Sequence, residues 1–104
     1  MTIIQRRTFY GKVGAADSLV EWAREMYALI QAQGQAASYR IMTDHLSGRT
    51  DRVVVEVEAE SLADLEGVVA QAMNDPEMRT KFEASFAKLT GLIDHAEVEH
   101  WAVQ

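Results

Sequence analysis

The side chains able to do chemistry near neutral pH are three histidines, His45, His95 and His100. A histidine titrates in that range, so each is a candidate acid, base or metal ligand. No two of them stand four residues apart on a helical stretch, and no histidine–carboxylate cluster accompanies them. A metal held by protein side chains is therefore not expected, and no bound cofactor is expected either. His45 closes the second strand near a turn, and His95 begins the last strand. His100 alternates with Val98 and Ala102, which turns it towards the helices and makes it the first catalytic candidate. The commoner use of a lone histidine on an apolar face is a structural hydrogen bond. A single axial histidine would also suffice for haem, which stands as a weaker alternative.

Aromatic side chains supply a second constellation. Trp22, Tyr27, Phe82 and Phe86 on helical stretches, with Tyr10 and Tyr39 on strands, could hold a flat molecule. Tyrosine hydroxyls could orient a phenolic ligand, with Tyr10 and Tyr39 joining His100 as catalytic candidates. At helical spacing such residues are more often plain core. Arg6 and Arg40 could bind a carboxylate, although pairing with Glu56, Glu58 or Glu97 across strands is the expected use. The chain lacks a glycine-rich phosphate loop and a serine-nucleophile motif.

The elements that must position these residues follow from periodicity. "TIIQRRTFYGKV" is rich in β-branched and aromatic residues and reads as a strand ending at Gly11 and Gly14. "SLVEWAREMYALIQAQG" follows as a helix. Ser18 and Glu21 have capping-box spacing, Leu19, Ala23, Met26 and Ile30 share a face flanked by Val20, Trp22 and Tyr27, and Gly34 supplies the stop. "ASYRIMTDHL" and "DRVVVEVEAE" are strands joined by the turn-forming "SGRTD". "SLADLEGVVAQAM" is a helix capped by Ser61, with Leu62, Leu65, Val69 and Ala72 or Met73 inward. Pro76 breaks it, and Asp75 caps a further helix carrying Met78, Phe82, Phe86, Leu89 and Ile93 as far as Gly91. "HAEVEHWAV" alternates again as a last strand.

The order is β-α-β-β-α-β with the second crossover broken in two. Right-handed crossovers convert it into an α+β, ferredoxin-like, four-stranded antiparallel sheet with helices on one face. Val53, Val55, Val57 and Ala59 must look towards those helices. The other face carries Arg52, Val54, Glu56 and Glu58, and Glu97, Glu99 and Trp101 from the last strand. Either Gln5, Arg7 and Phe9 or Arg6, Thr8 and Tyr10 join it from the first strand. The second strand contributes either Arg40 and Met42 or Tyr39, Ile41 and Thr43. Such a mixture suits a partly buried interface where charges pair, and a homodimer through this face is expected.

A chain of 104 residues makes one domain, 1–104, with one modest core. A net charge of −6 and the lack of a basic patch argue against a nucleic-acid partner. The absence of cysteine excludes disulfides and thiol chemistry and fits a reducing cytoplasm. No stretch is long and apolar enough to span a bilayer and none reads as a secretion signal, so a cytoplasmic protein without a membrane partner is expected.

Two stretches resemble a known superfamily. "RTFYGKVGAADSLVEW" is similar to the strand, glycine turn and helix that open dimeric α/β-barrel domains, and "NDPEMRTKFEASF" to their broken second crossover. The likeness is greatest to the antibiotic-biosynthesis-monooxygenase and NIPSNAP-like branches. It implies two sheets enclosing a barrel between subunits, with ligands held in each protomer between its sheet and its helices. It also implies a cofactor-independent monooxygenase-like activity on a small aromatic or polyketide-like substrate, bound by Trp22, Tyr27, Phe82, Phe86 and Arg6. The alternative is a non-catalytic ligand-binding or assembly protein of the same fold. Cofactor-free oxygenases of this kind gather Asn, Trp and Tyr around the substrate. Here the one asparagine, Asn74, falls in the helix break, and Trp22 can serve only if it points inward.

Overall fold

Alternation and helical spacing resolve into seven elements in the computed structural model, which describes residues 1–32, 38–44 and 51–104. They are β1 (Ile3–Gly11), α1 (Ala16–Gln31), β2 (Ser38–Thr43), β3 (Arg52–Ala59), α2 (Leu62–Asn74), α3 (Pro76–Thr90) and β4 (Ile93–Ala102). The strands form one antiparallel sheet in the order β2-β3-β1-β4, the α+β ferredoxin-like arrangement. His45 and Gly34 lie outside the described residues.

Register settles what alternation left open. Arg7 stands opposite Val55 on β3 and Val98 on β4, and Gln5 opposite Val57 and His100. Directly paired residues share a face, so Gln5, Arg7 and Phe9 lie on the valine side, under the helices. Tyr39 and Ile41 join them, opposite Val57 and Val55. Arg6, Thr8 and Tyr10 lie on the open side, with Arg40, Met42, Glu56, Glu97, Glu99 and Trp101.

The core forms where α1 crosses the valine face. Leu19, Trp22, Ala23, Met26 and Tyr27 are buried against Phe9, Val53, Val55 and Val57. Trp22 meets Phe9 edge-on, with ring centroids 5.2 Å apart, the geometry that the ring quadrupole favours. α2 and α3 complete the layer with Leu65, Val68, Ala72, Met78, Phe82 and Leu89. The buried stripe of α2 runs through Val68, one residue round from the Val69 that spacing suggested. Leu62, Val69 and Met73 are consequently more than a third exposed, as is Phe86 on α3.

The caps differ in one place. Ser61 accepts from the Asp64 N–H at 3.1 Å and Asp75 from the Glu77 N–H at 3.0 Å, with Pro76 opening α3. α1, however, begins at Ala16 without a capping side chain of its own. Asp51, at the entry to β3, takes that role by accepting from the Gly14 and Ala16 N–H groups at 3.1 and 3.4 Å. The turn brings this about. Gly14 has φ 86°, a left-handed conformation that suits glycine, while Gly11 packs so tightly that a Cβ would lie 2.6 Å from the Asp51 carbonyl oxygen. Ser18 therefore falls inside the first turn and not at its start.

β4 is the second surprise. Parity puts Val98 and His100 on the helix side, but nearly all of β4 is exposed on both faces.

Candidate functional site

A cavity of about 220 Å³ lies between the sheet and the helices. Its floor is Gln5, Arg7 and Phe9 of β1, Val57 of β3 and Tyr39 of β2. α1 contributes Trp22, Met26 and Ile30 at intervals of four, with Tyr27 beside them. α2 and α3 close it with Leu65, Val68, Val69, Met73, Phe82 and Phe86. The partly exposed Val69, Met73 and Phe86 form its rim. A cavity of roughly 150 Å³ can already take a benzene ring, and drug-sized sites begin near roughly 300 Å³, so this space suits one or two rings.

Its walls are aromatic. The rings of Tyr27 and Tyr39 lie 5.6 Å apart at an angle of 36°, and those of Phe82 and Phe86 6.4 Å apart at 27°. The Trp22 indole N–H donates to the Ser85 carbonyl oxygen at 2.8 Å, fixing its ring plane between α1 and α3.

Few polar groups reach this space, and each has a definite character. Burial pushes the Tyr27 phenol above its usual value, opposed in part by the nearby positive charge of Arg7. It stays neutral at pH 7 and offers an O–H donor. A raised folded-state value means that its contribution to stability is whole below the usual tyrosine value of 10.0 and is lost as pH rises through the folded value. Tyr27→Phe should therefore flatten the alkaline limb of a plot of urea midpoint against pH. The Arg7 Nε is shielded from solvent and finds no hydrogen-bond partner. Gln5 carries the cavity outward to β4, where its amide nitrogen lies 3.1 Å from His100 Nε2. An amide nitrogen only donates, so in this arrangement His100 accepts at Nε2 and carries its proton on Nδ1.

Of the residues singled out from the sequence, Trp22, Tyr27, Tyr39, Phe82 and Phe86 converge on this cavity. His100 stands exposed at its side and meets it through Gln5. Tyr10 and Arg6 are on the opposite face, because β1 turns its odd-numbered residues to the helices. There Tyr10 stacks on His95 at 4.3 Å and its hydroxyl donates to Glu97 at 3.4 Å. α1 adds an amide, Gln31, and β1 gives the cavity Arg7 and Gln5. Both were visible only as one of two parities for the first strand, and the signal that selects it is Phe9, which belongs with the valines.

The open face carries a larger depression of about 560 Å³ lined by three arginines and four carboxylates. Glu56 is 5% exposed and accepts from Arg6 Nε at 2.7 Å and from Arg40 Nη2 at 2.6 Å. Arg52 pairs with Asp44 at 2.6 Å. Hydrogen bonds from Arg40, then Arg6, hold the Glu56 carboxyl below its usual value against the opposing effect of burial. Among the described residues no three His, Asp or Glu side chains converge as a metal site would require, and no helix is long and apolar enough to cross a membrane.

No protein-family model matches the sequence, and no curated protein is significantly similar to it. Solved structures are similar in fold. An uncharacterised NIPSNAP domain protein from Burkholderia xenovorans superposes with a TM-score of 0.77 at 15% identity, over 98% of this chain and 94% of that one. A NIPSNAP family protein from Agrobacterium tumefaciens gives 0.74 at 19% identity, over 99% and 86%. A mutant of SnoaB, a cofactor-independent oxygenase from Streptomyces nogalater, gives 0.73 at 12% identity, over 99% and 93%. The chain thus has the fold shared by these NIPSNAP proteins and a cofactor-independent oxygenase, in keeping with the resemblance read from its sequence.

Proposed function

We propose that the helix-side cavity binds a small aromatic molecule and that the chain acts on it as a cofactor-independent, monooxygenase-like enzyme. The observation that carries this reading is the cavity itself: open at its rim, aromatic on its walls, and lined as well by Tyr27, Tyr39, Gln5 and Arg7. A phenol that loses its proton there becomes an electron-rich anion, the state in which an organic molecule reacts most readily with oxygen, and Arg7 would favour that anion. Tyr27 and Tyr39 would orient the ring, with His100 beyond Gln5 as the nearest group able to pass protons to solvent. The fold of SnoaB supports the reaction class by analogy alone.

One observation favours a second reading, a non-catalytic ligand-binding protein: among the described residues no carboxylate or histidine lines the cavity to serve directly as a base. Oxygen uptake separates the two. In chelator-treated buffer, 1-naphthol should drive oxygen consumption proportional to protein, and Val69→Trp, which fills the rim, should abolish it. Saturable naphthol binding without uptake would leave the binding protein, and absence of binding would defeat both.

The assembly proposed is a homodimer through the open face. The exposed β4, with Trp101 53% exposed on the open face, and the ion pairs that converge on Glu56 support it. Light scattering at micromolar concentration should return twice the chain mass; a monomer would contradict it. A cytoplasmic location, suggested by the absence of cysteine, belongs to the same proposal.

A further inference from the structure

We propose that the ligand of this cavity is an organic anion, a carboxylate on a one- or two-ring apolar body, and that Arg7 is its anchor. The inference rests on the preceding reading that the cavity takes a ligand, and adds the chemical class.

The arginines of the sheet differ in whether a carboxylate meets them. Arg6 and Arg40 share Glu56, and Arg52 has Asp44. Arg7 lines the cavity, its Nε is shut off from solvent, and among the described residues it forms no ion pair. Residues 33–37 and 45–50, outside the described range, contain no aspartate or glutamate, so they hold no side-chain carboxylate that could supply the missing charge. Register explains the isolation: Arg7 stands between Val55 and Val98, with Gln5 and Phe9 on either side along the strand. Arg7 is half-buried, and a guanidinium keeps its charge in any surroundings, so its shielded Nε edge gains a partner only when an acceptor enters the cavity.

The remaining groups fit a carboxylate. A guanidinium meets both oxygens of a carboxylate in parallel, and the neutral Tyr27 hydroxyl, close enough to feel the Arg7 charge, can donate to one of them. The aromatic walls then receive the apolar body. A neutral ligand of the same shape would fill the walls and leave Arg7 as it is.

Calorimetric titration with benzoate, 3-phenylpropanoate and 2-naphthoate, each against its primary amide, tests this without any variant. At least one acid should bind about tenfold or more tightly than its amide, the scale of one charged hydrogen-bonded contact. Arg7→Gln should bring that ratio near one, and Arg7→Lys should keep part of it. Equal binding of acid and amide would overturn the anion proposal while leaving the cavity reading intact. So would a preference for the acid that survives Arg7→Gln. If no acid and no amide binds, the cavity reading falls and this inference with it. Should Arg7→Gln fail to fold, the ratio in the unaltered protein still decides.

Discussion

Trp22→Ala is expected to lower the folding free energy by about 3–5 kcal/mol, the range for removing a large buried aromatic side chain. Trp22 is 4% exposed, packs edge-on against Phe9 at 5.2 Å, and ties α1 to α3 through the Ser85 carbonyl at 2.8 Å. Its removal withdraws the apolar contact and the tie between the helices, leaving the Ser85 carbonyl only the bond it makes within α3. Against a total stability of roughly 5–15 kcal/mol for an ordinary domain, the loss is severe. Urea denaturation followed by circular dichroism measures it. Trp22→Phe separates the contributions: most of the packing remains, the hydrogen bond goes, and about 1 kcal/mol is expected. The same substitutions enlarge the cavity, so a variant that folds should shift its preference from one ring towards two. A cost below about 1 kcal/mol for Trp22→Ala would mean that the helices collapse into the vacated space and that the cavity is not rigidly held.

Glu56→Gln is expected to cost roughly 1–2 kcal/mol and to change the response to acid. Two arginines converge on one carboxylate in the middle of the sheet. The amide would leave two guanidinium groups facing each other with half the acceptor capacity and no charge between them. The cost stays below that of a fully buried pair because the Arg6 and Arg40 side chains are 43% and 70% exposed and water screens them. The sign with pH follows from the direction of the shift. The folded state holds the Glu56 carboxyl below the usual value of 4.5, so its contribution is whole above that value and is lost as pH falls through the folded one. Stability differences between the unaltered protein and Glu56→Gln should be constant near neutrality and shrink below about pH 4.5. If the open face joins two subunits, Glu56→Gln should also weaken the dimer, visible as a concentration-dependent mass.

The order of elements, the broken crossover and the inward valines were all legible in the sequence, because each rests on local signals: alternation, a proline with a capping aspartate, and helical spacing. Five aromatics of the site, Trp22, Tyr27, Tyr39, Phe82 and Phe86, were legible for the same reason. The polar half of the site was not. Ile3, Gln5, Arg7 and Phe9 are scarcely more apolar as a set than Ile4, Arg6, Thr8 and Tyr10; Phe9 against Tyr10 is the one local signal between them, and pairing with β3 places the Phe9 set under the helices. Arg6 was accordingly the arginine expected to meet a ligand, whereas the chain places Arg7 in the cavity. The Asp51 cap was hidden similarly, since residue 51 reaches residues 14 and 16 only once the sheet has formed. The exposure of β4 depends on how far the helices extend across the sheet, a tertiary quantity with no local signature.

Ligands should enter the helix-side cavity and leave the charged face alone. The two tryptophans report on the two sides, Trp22 in the cavity wall and Trp101 on the open face. Their indole N–H signals in a nitrogen–proton correlation spectrum, assigned with a Trp101→Phe variant, can be followed during titration with 2-naphthoate. The Trp22 signal should move with saturation while that of Trp101 holds its position. Movement of Trp101 with Trp22 unchanged would contradict the account and return the search for function to Glu56 and its arginines.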